Sequence, residues 1–296
     1  MKYTGKIITN FGGSITVKLS SGEKINATMR SNLKGELTVG DNVELEYNNS
    51  TYVIISFIER RNLIARPNLY QRKNKNIAAN IDQAVIIICH SPAPVEHYID
   101  RYLAALHNSN IKPIIVVNKV DSQSTEDKEY IECLTNIYQK IGYEIYFISA
   151  QENIGINKLL EALKGKSSIF LGQSGVGKSE TLNTILGEKI TETKAVSNST
   201  KKGRHTTTAS TLYEIDDDTN IIDSPGIREF GLWHISKEEL FNGFIDFSKY
   251  NGECQYRNCA HQENSKGCEI VKQVEVGNIA LLRFKNYHRI LAEIVK

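Results

Sequence analysis

The sequence lacks a long apolar run, a strong charge of either sign and a large set of cysteines. Its longest apolar stretches are far shorter than the roughly 20 residues of a membrane-spanning helix, and residues 1–6 carry no apolar segment typical of a signal peptide. The formal net charge of +2 excludes a chain that binds nucleic acid through its overall charge, so any basic surface must be local. With only five cysteines and no secretory signal, we expect free thiols or metal ligands instead of disulfides.

What the sequence does contain is typical of a soluble globular protein. Apolar residues make up 40% of the chain and charged residues 24%, and a length of 296 residues allows two or three domains. No internal repeat or low-complexity segment is present. Function therefore has to be sought in local motifs.

A phosphate-loop pattern, G-x-x-x-x-G-K-[ST], runs from Gly172 to Ser179. Residues 167–171 before it predict a short buried strand, and residues 180–186 after it predict a helix closed by Gly187. Glycines let backbone N–H groups face phosphates, and the helix N-terminus adds a favourable dipole. We predict that Lys178 reaches the β- and γ-phosphates and that Ser179 binds Mg²⁺.

A second pattern, N-K-x-D, occupies Asn118 to Asp121 and follows an apolar run at residues 111–117. That run predicts a central parallel strand, and ligands bind at the carboxyl ends of such strands. The Asp121 carboxylate can accept hydrogen bonds from N1–H and the 2-amino group of guanine, a pair that adenine does not offer. Ser149 and Ala150 end the next predicted strand, where the main chain of a GTPase contacts the guanine O6.

The order of these motifs predicts a circular permutation. In an ordinary GTPase the phosphate loop precedes N-K-x-D, whereas here it follows. A D-x-x-G pattern comes later still, after an apolar strand at residues 220–222. We predict that Asp223 holds Mg²⁺, directly or through water, and that the Gly226 N–H senses the γ-phosphate.

The segment between the phosphate loop and D-x-x-G should contain switch I. It carries three successive threonines at residues 206–208, of which we favour Thr207 as the Mg²⁺ ligand; a solvated edge strand is the alternative for this run. Ile227 follows Gly226, where Ras-like proteins have a glutamine that orients the attacking water. We therefore expect slow intrinsic hydrolysis unless His205 or a partner supplies the missing group.

A late cluster has the composition of a zinc site. Cys254, Cys259, His261 and Cys268 form C-x4-C-x-H-x6-C, and three thiolates with one imidazole complete a tetrahedral structural site. Unrelated loop cysteines are the alternative. Cys89 and Cys133 are expected to be core residues.

The rest of the chain predicts the architecture around these motifs. Five short alternating segments, at residues 3–9, 14–19, 23–28, 42–47 and 51–57, predict an oligonucleotide-binding (OB) barrel, and an SH3-like barrel fits almost as well. Strands then alternate with helices, which predicts a parallel sheet covered on both faces. An amphipathic helix at residues 236–247 and a last helix near residues 277–294 are expected after it.

Together these motifs resemble the RsgA (YjeQ/YloQ) family of circularly permuted GTPases, which are bacterial ribosome-assembly factors. The resemblance rests on N-K-V-D, G-Q-S-G-V-G-K-S, G-R-H-T-T-T from Gly203, D-S-P-G-I from Asp223 and the zinc cluster, and it covers nearly the whole chain. It implies an α/β fold with a circularly permuted P-loop GTPase (G) domain at residues 68–232. An N-terminal OB-fold barrel at residues 1–67 and a C-terminal helical zinc-binding domain at residues 233–296 would flank it.

The resemblance also implies function. It predicts a cytoplasmic, monomeric GTP hydrolase that acts in late maturation of the 30S ribosomal subunit, binds 16S rRNA in a nucleotide-dependent way and is stimulated by the ribosome. A nucleotide-regulated RNA-binding scaffold with incidental turnover and a large-subunit assembly GTPase remain alternatives. Because few residues separate Gly226 from the C-terminal domain, we expect the switch to re-aim that domain.

The implied site residues fall into four groups. The catalytic residues would be Lys178, Thr207, Gly226 and His205. The GTP-binding residues would be Asn118, Lys119, Val120, Asp121, Ser149, Ala150, Gly172, Gln173, Ser174, Gly175, Val176, Gly177, Lys178, Ser179 and Glu180. The magnesium ligands would be Ser179, Thr207 and Asp223, and one structural zinc ion would be held by Cys254, Cys259, His261 and Cys268.

Two basic clusters are candidates for contact with RNA phosphates. The first precedes the G domain and comprises Arg60, Arg61, Arg66, Arg72, Lys73 and Lys75. The second surrounds the predicted switch I and comprises Lys194, Lys201, Lys202 and Arg204. A solvated hinge is the alternative for the first cluster.

Overall fold

The computed structural model describes residues 2–11, 14–68, 73–187, 210–224 and 235–294. The strands are β1 Lys2–Asn10, β2 Ile15–Leu19, β3 Lys24–Met29, β4 Asn42–Asn48, β5 Thr51–Phe57, β6 Leu63–Asn68, β7 Lys73–Ala79, β8 Gln83–Cys89, β9 Lys112–Asn118, β10 Glu144–Phe147, β11 Ser167–Leu171, β12 Thr211–Glu214 and β13 Asn220–Asp223. The helices are α1 Glu96–Asn108, α2 Thr125–Ile141, α3 Ile156–Leu163, α4 Lys178–Leu186, α5 Lys237–Gly243, α6 Ile245–Ser248, α7 Glu269–Glu275 and α8 Leu281–Ile294. Within these ranges, no helix is long and apolar enough to cross a membrane.

The first five strands close into a barrel. Their order is β1-β2-β3-β5-β4, and β4 pairs back to β1. Alternate residues point inward, so that Val17, Val43, Leu45 and Ile54 are fully buried. β3 and β5 run parallel, whereas the strands of an SH3-like barrel are antiparallel; the expected OB-fold is therefore confirmed.

A two-stranded hairpin, β6–β7, follows the barrel, where the sequence analysis had predicted only a basic stretch. Arg60 donates to the fully buried Asp41 carboxylate at 2.6 and 2.8 Å, and Arg61 donates to Asp82 at 2.6 Å. These two arginines therefore attach the barrel and the hairpin to the sheet that follows. The predicted domain boundary at residue 67 lies within the hairpin and that at residue 232 lies outside the described residues, so both stay predictions.

The central sheet confirms the permuted GTPase fold. Its strands follow the order β10-β9-β8-β11-β13-β12, and all neighbouring pairs except β12–β13 are parallel. β11, the strand before the phosphate loop, occupies a central position although it comes late in the chain. Ile86 and Ile88 pack on the face that α1 and α2 cover, while Val85 and Ile87 pack on the opposite face with α3 and α4. The sheet is thus buried on both sides, as predicted.

The C-terminal helices differ from the predicted pattern. The single helix expected at residues 236–247 is interrupted at Phe244, whose φ of −87° and ψ of 81° leave the helical region. Gly243 lies so close to α1 that an added Cβ would be 2.6 Å from Ala104 Cα. The interruption therefore accompanies close packing against α1, a tertiary contact that periodicity does not reveal. α7 was not predicted, and α8 begins four residues later than residue 277. Cys133, expected in the core, is exposed on α2.

A buried ionic network attaches this C-terminal region to the G domain. Arg283 of α8 donates to Asp100 of α1 at 2.5 Å and to Asp246 of α6 at 2.6 and 3.2 Å. Asp100 also accepts hydrogen bonds from Tyr138 and Asn286. The side chains of Arg283 and Asp100 are completely buried. Burial raises the pKa of Asp100, whereas the two carboxylates raise that of Arg283 despite its burial.

We predict that Arg283→Met destabilises the protein by about 3–5 kcal/mol, because it leaves two buried carboxylates without their cation. Chemical denaturation followed by circular dichroism measures this change. Arg289→Met is the matched control, since Arg289 lies on the same helix with 62% of its side chain exposed. Equal stability of the two variants would contradict the structural role given to Arg283.

Candidate nucleotide and metal sites

The phosphate loop connects β11 to α4 and needs glycine at two tight positions. Gly172 has φ of 135°, and an added Cβ would lie 2.2 Å from the Ile87 carbonyl oxygen. Gly177 has φ of 92°, and an added Cβ would lie 2.2 Å from Asn118 Nδ2. Side chains are excluded at both places. The Lys178 ammonium donates to the carbonyls of Gly172 and Gln173 at 2.7 and 2.6 Å, so it lies across the loop.

Asn118 joins three of the predicted site segments. Its amide nitrogen donates to the Val176 carbonyl in the phosphate loop at 3.0 Å. Its amide oxygen accepts the Ala150 N–H at 3.1 Å. The side chain is completely buried, where an unpaired amide would be costly. Asn118 therefore fixes the phosphate loop and the Ser-Ala loop relative to N-K-x-D.

The Ser-Ala loop has further supports. The Ser149 hydroxyl accepts the Glu152 N–H at 3.0 Å, and the Ala150 carbonyl accepts the Thr184 hydroxyl of α4 at 2.8 Å. Both Ser149 and Ala150 are buried. The helix that begins at the phosphate loop thus also holds the loop predicted to contact guanine O6.

Asp121 lies at the edge of this assembly. It belongs to the 3-10 turn Val120–Ser122 and is exposed. Within the described ranges its carboxylate makes no hydrogen bond or ion pair, so its acceptors are open to a ligand. Lys119 adopts a left-handed conformation with φ of 63°, and its ammonium donates to the Ser91 carbonyl at 2.8 Å.

The loop after β8 is a part of the site that the sequence analysis missed. The Val95 N–H donates to the Gln173 side chain at 3.2 Å, and Pro92 lies 3.4 Å from the position of a Cβ on Gly175. With the Lys119–Ser91 bond, these contacts place this loop against both the phosphate loop and N-K-x-D. The signal that could have revealed this loop is the pair of prolines Pro92 and Pro94, which come directly after a buried strand at the ligand-binding edge.

The predicted magnesium ligands that the structure describes lie at the same edge of the sheet. Ser179 is exposed in the first turn of α4, and Asp223 ends β13, the parallel neighbour of β11. A hydroxyl and a carboxylate are the hard oxygen donors that Mg²⁺ takes. His205, Thr206, Thr207, Thr208, Gly226 and Ile227 lie outside the described residues.

The cysteine and histidine cluster is assembled in the C-terminal region. The four ligand atoms of Cys254, Cys259, His261 and Cys268 lie within 4.8 Å of one another. His261 Nδ1 is 3.6 Å from Cys254 Sγ and 3.5 Å from Cys268 Sγ, and these two sulfurs are 4.0 Å apart. Tetrahedral Zn²⁺ with bonds of about 2.3 Å to sulfur and 2.0–2.1 Å to nitrogen requires edges of about 3.6–3.8 Å. The donor set and its spacing therefore fit zinc.

The surroundings of the cluster orient its ligands. Phe241 stacks on the His261 ring at 5.0 Å, and His288 Nε2 donates to the His261 carbonyl at 2.8 Å. The Glu269 N–H donates to Cys254 Sγ at 3.4 Å. Burial, together with nearby His288, lowers the pKa of His261. The imidazole is accordingly neutral and able to ligate at neutral pH.

Comparison with known proteins identifies relatives over the whole chain. The family model described as RsgA GTPase matches residues 57–233. The solved structure of YjeQ from Thermotoga maritima is 28% identical, with a TM-score of 0.79 over 100% of this chain and 99% of that one. The structure of YloQ, described as a circularly permuted GTPase, is 25% identical, with a TM-score of 0.75 over 99% and 95% of the two chains.

The preference for guanine over other bases is predicted to depend on Asp121. Asp121→Asn should lower GTP affinity by about 10²- to 10⁴-fold, because two hydrogen bonds to a charged acceptor are lost. The same change should favour xanthosine triphosphate, whose 2-oxo group accepts from an amide. Calorimetric titration with both nucleotides measures this, with Glu126→Gln, an exposed carboxylate on the first turn of α2, as control. Unchanged GTP affinity in Asp121→Asn would refute the assignment.

Zinc content is predicted to depend on the four-residue cluster. One Zn²⁺ per chain should co-purify, and Cys254→Ser combined with Cys268→Ser should abolish it and unfold the C-terminal region, because structural zinc contributes on the order of 10 kcal/mol to folding. Elemental analysis and circular dichroism measure both effects. Cys133→Ser, in an exposed thiol remote from the cluster, should retain full zinc. Metal retained in the double variant would contradict the assignment.

Proposed function

The chain belongs to the RsgA GTPase family, and within that family of ribosome-biogenesis GTPases we propose that it acts in late maturation of the 30S subunit. The observation that supports nucleotide turnover is the joining of the phosphate loop, N-K-x-D and the Ser-Ala loop by Asn118. These three segments lie at the carboxyl edge of one parallel sheet, where such folds bind ligands.

The proposed mechanism assigns a task to each segment. The backbone N–H groups from Gly172 to Gly177 and the Lys178 ammonium hold the phosphates, while Asp121 selects guanine. Ser179, Asp223 and a switch I threonine, which we propose to be Thr207, would hold Mg²⁺. When bound, this ion would offset the negative charge of the phosphates.

Hydrolysis is proposed to depend on a partner. Ile227 has no hydrogen-bonding group with which to orient water, so the attacking water needs a group from elsewhere. His205 is the candidate within the chain, and Gly226 would sense the γ-phosphate through its N–H. A group supplied by the ribosome would couple GTP hydrolysis to correct docking.

The proposed ribosomal contact is 16S rRNA. Arg66 and Lys75 lie opposite each other across the β6–β7 hairpin, which places two basic residues together beside the barrel. Basic residues attract RNA phosphate, and an OB-fold barrel is a common platform for nucleic acid. Arg60 and Arg61 pair with Asp41 and Asp82 and attach the barrel and the hairpin to the sheet.

We further propose that the protein is a cytoplasmic monomer that binds 30S particles tightly with GTP and leaves after hydrolysis. An RNA-binding scaffold with incidental turnover and a large-subunit GTPase are the competing functions. Multiple-turnover GTP hydrolysis measured alone, with 30S subunits and with 50S subunits separates the three.

We expect 30S subunits to accelerate hydrolysis by between about 10-fold and 10⁵-fold, the upper figure being what a group supplied in trans achieves in Ras. Lys178→Ala should abolish both the basal and the stimulated rate, because the phosphates lose their cation. Acceleration by 50S alone would assign the protein to the large subunit. Binding to 30S with no acceleration would instead favour the scaffold.

A further inference from the structure

Strand β12 connects the barrel to the strand that ends at the nucleotide site. On one side β12 pairs with β13, where Thr211 lies opposite Asp223, a predicted magnesium ligand. On its other side β12 pairs with β1 of the barrel, where Thr211 lies opposite Thr9. A continuous row of residues, Thr9–Thr211–Asp223, therefore runs across three strands from the barrel to the site.

An ionic clamp holds the far end of the same strand. Both carboxylate oxygens of Glu214 are bound, one by Lys18 of β2 and one by Lys24 of β3, each at 2.5 Å. The hydrogen bond to Glu214 raises the pKa of Lys18. Burial alone would raise the pKa of Glu214, but the hydrogen bonds from both lysines hold it below its usual value. The clamp is thus fully charged at neutral pH.

The part of the interface around this clamp is open and polar. Elsewhere the Ala79 N–H donates to the Val39 carbonyl, Arg60 pairs with the buried Asp41, and apolar residues of the barrel and the G domain share one buried cluster. A cavity of about 590 Å³ separates the barrel from the β12–β13 edge. Its lining includes Lys6 and Asn42 from the barrel and Asp217 and Asn220 from the G domain. Contacts between exposed polar groups around a cavity belong to the least stable parts of a protein, which open most readily.

The attachment of the C-terminal region to α1 is buried. Arg283 and Asp100 are completely buried between α8 and α1, and Gly243 lies directly on the Ala104 backbone. Reorienting this region would separate a buried cation from its carboxylates, at a high cost in free energy. This contact opposes the expectation that the switch re-aims the C-terminal domain.

We propose that the barrel is the domain whose orientation follows the bound nucleotide, through β12 and the Glu214 clamp, while the C-terminal region stays fixed to α1. This inference rests on the proposed GTPase cycle. Residues 188–209, which contain the predicted switch I, lead directly into β12, and Asp223 ends the neighbouring strand. Loss of the γ-phosphate would therefore act on β12 through the chain that precedes it and through the neighbouring β13. Because β12 also pairs with β1, the change would be transmitted to the barrel. RNA held by the barrel would influence nucleotide affinity reciprocally.

Hydrogen exchange of the full-length protein, with GDP or a non-hydrolysable GTP analogue and without ribosomes, tests the proposal. Exchange at residues 5–10 and 211–214 should differ at least about fivefold between the two nucleotides, whereas exchange at residues 281–290 should not differ. Protection of residues 172–179 by both nucleotides verifies binding. Because no ribosome is present, failure of 30S stimulation leaves this result unaffected.

Two matched variants test the clamp itself. Glu214→Gln should speed exchange at residues 5–10 by about two- to fivefold and reduce the difference between nucleotides, because partly exposed ion pairs contribute modestly. Glu144→Gln removes an ion pair with Lys112 that has the same N–O distance and lies within the G domain. This variant should change neither the exchange at residues 5–10 nor the difference between nucleotides. A nucleotide difference at residues 281–290 with none at residues 5–10 would overturn the proposal, as would equal behaviour of the two variants.

Discussion

The candidate site depends on one buried amide, that of Asn118. Segments distant in sequence reach the same edge because the carboxyl ends of parallel strands converge there. Convergence alone does not fix loops to within hydrogen-bonding distance. The Asn118 side chain does so by donating to Val176 and accepting from Ala150, with both bonds in the protein interior. Asn118 thereby acts as a positioning group for the phosphate loop and the Ser-Ala loop.

The permutation leaves this arrangement intact and changes what is attached to it. The strand that precedes the phosphate loop, β11, lies in the centre of the sheet although the chain enters this sheet at β8. The barrel extends the sheet at β12 and shares buried apolar residues with the G domain, whereas the C-terminal region packs on α1 through a buried ionic network. The two flanking domains are therefore attached through different elements, and in the proposed cycle the barrel is the domain that responds to the nucleotide.

Much of this could be predicted from the sequence, because motif residues follow apolar runs of the right length. β5 and β11 occupy the predicted ranges at both ends. The β6–β7 hairpin was missed because its polar and basic residues show no clear alternation. The break at Phe244 and the Arg283–Asp100 contact are tertiary features, the latter joining residues 183 positions apart. Asn118 was recognised as part of a motif, but its two partners lie in loops whose approach only the folded sheet defines.

In the proposed cycle, nucleotide binding and ribosome binding are linked, so that each changes the affinity for the other. The most direct test of this linkage is the dissociation constant of the 30S subunit, measured by co-sedimentation with GDP and with a non-hydrolysable GTP analogue. We expect tighter binding with the analogue by at least about fivefold, the lower range of allosteric coupling. Equal constants for the two nucleotides would contradict the account.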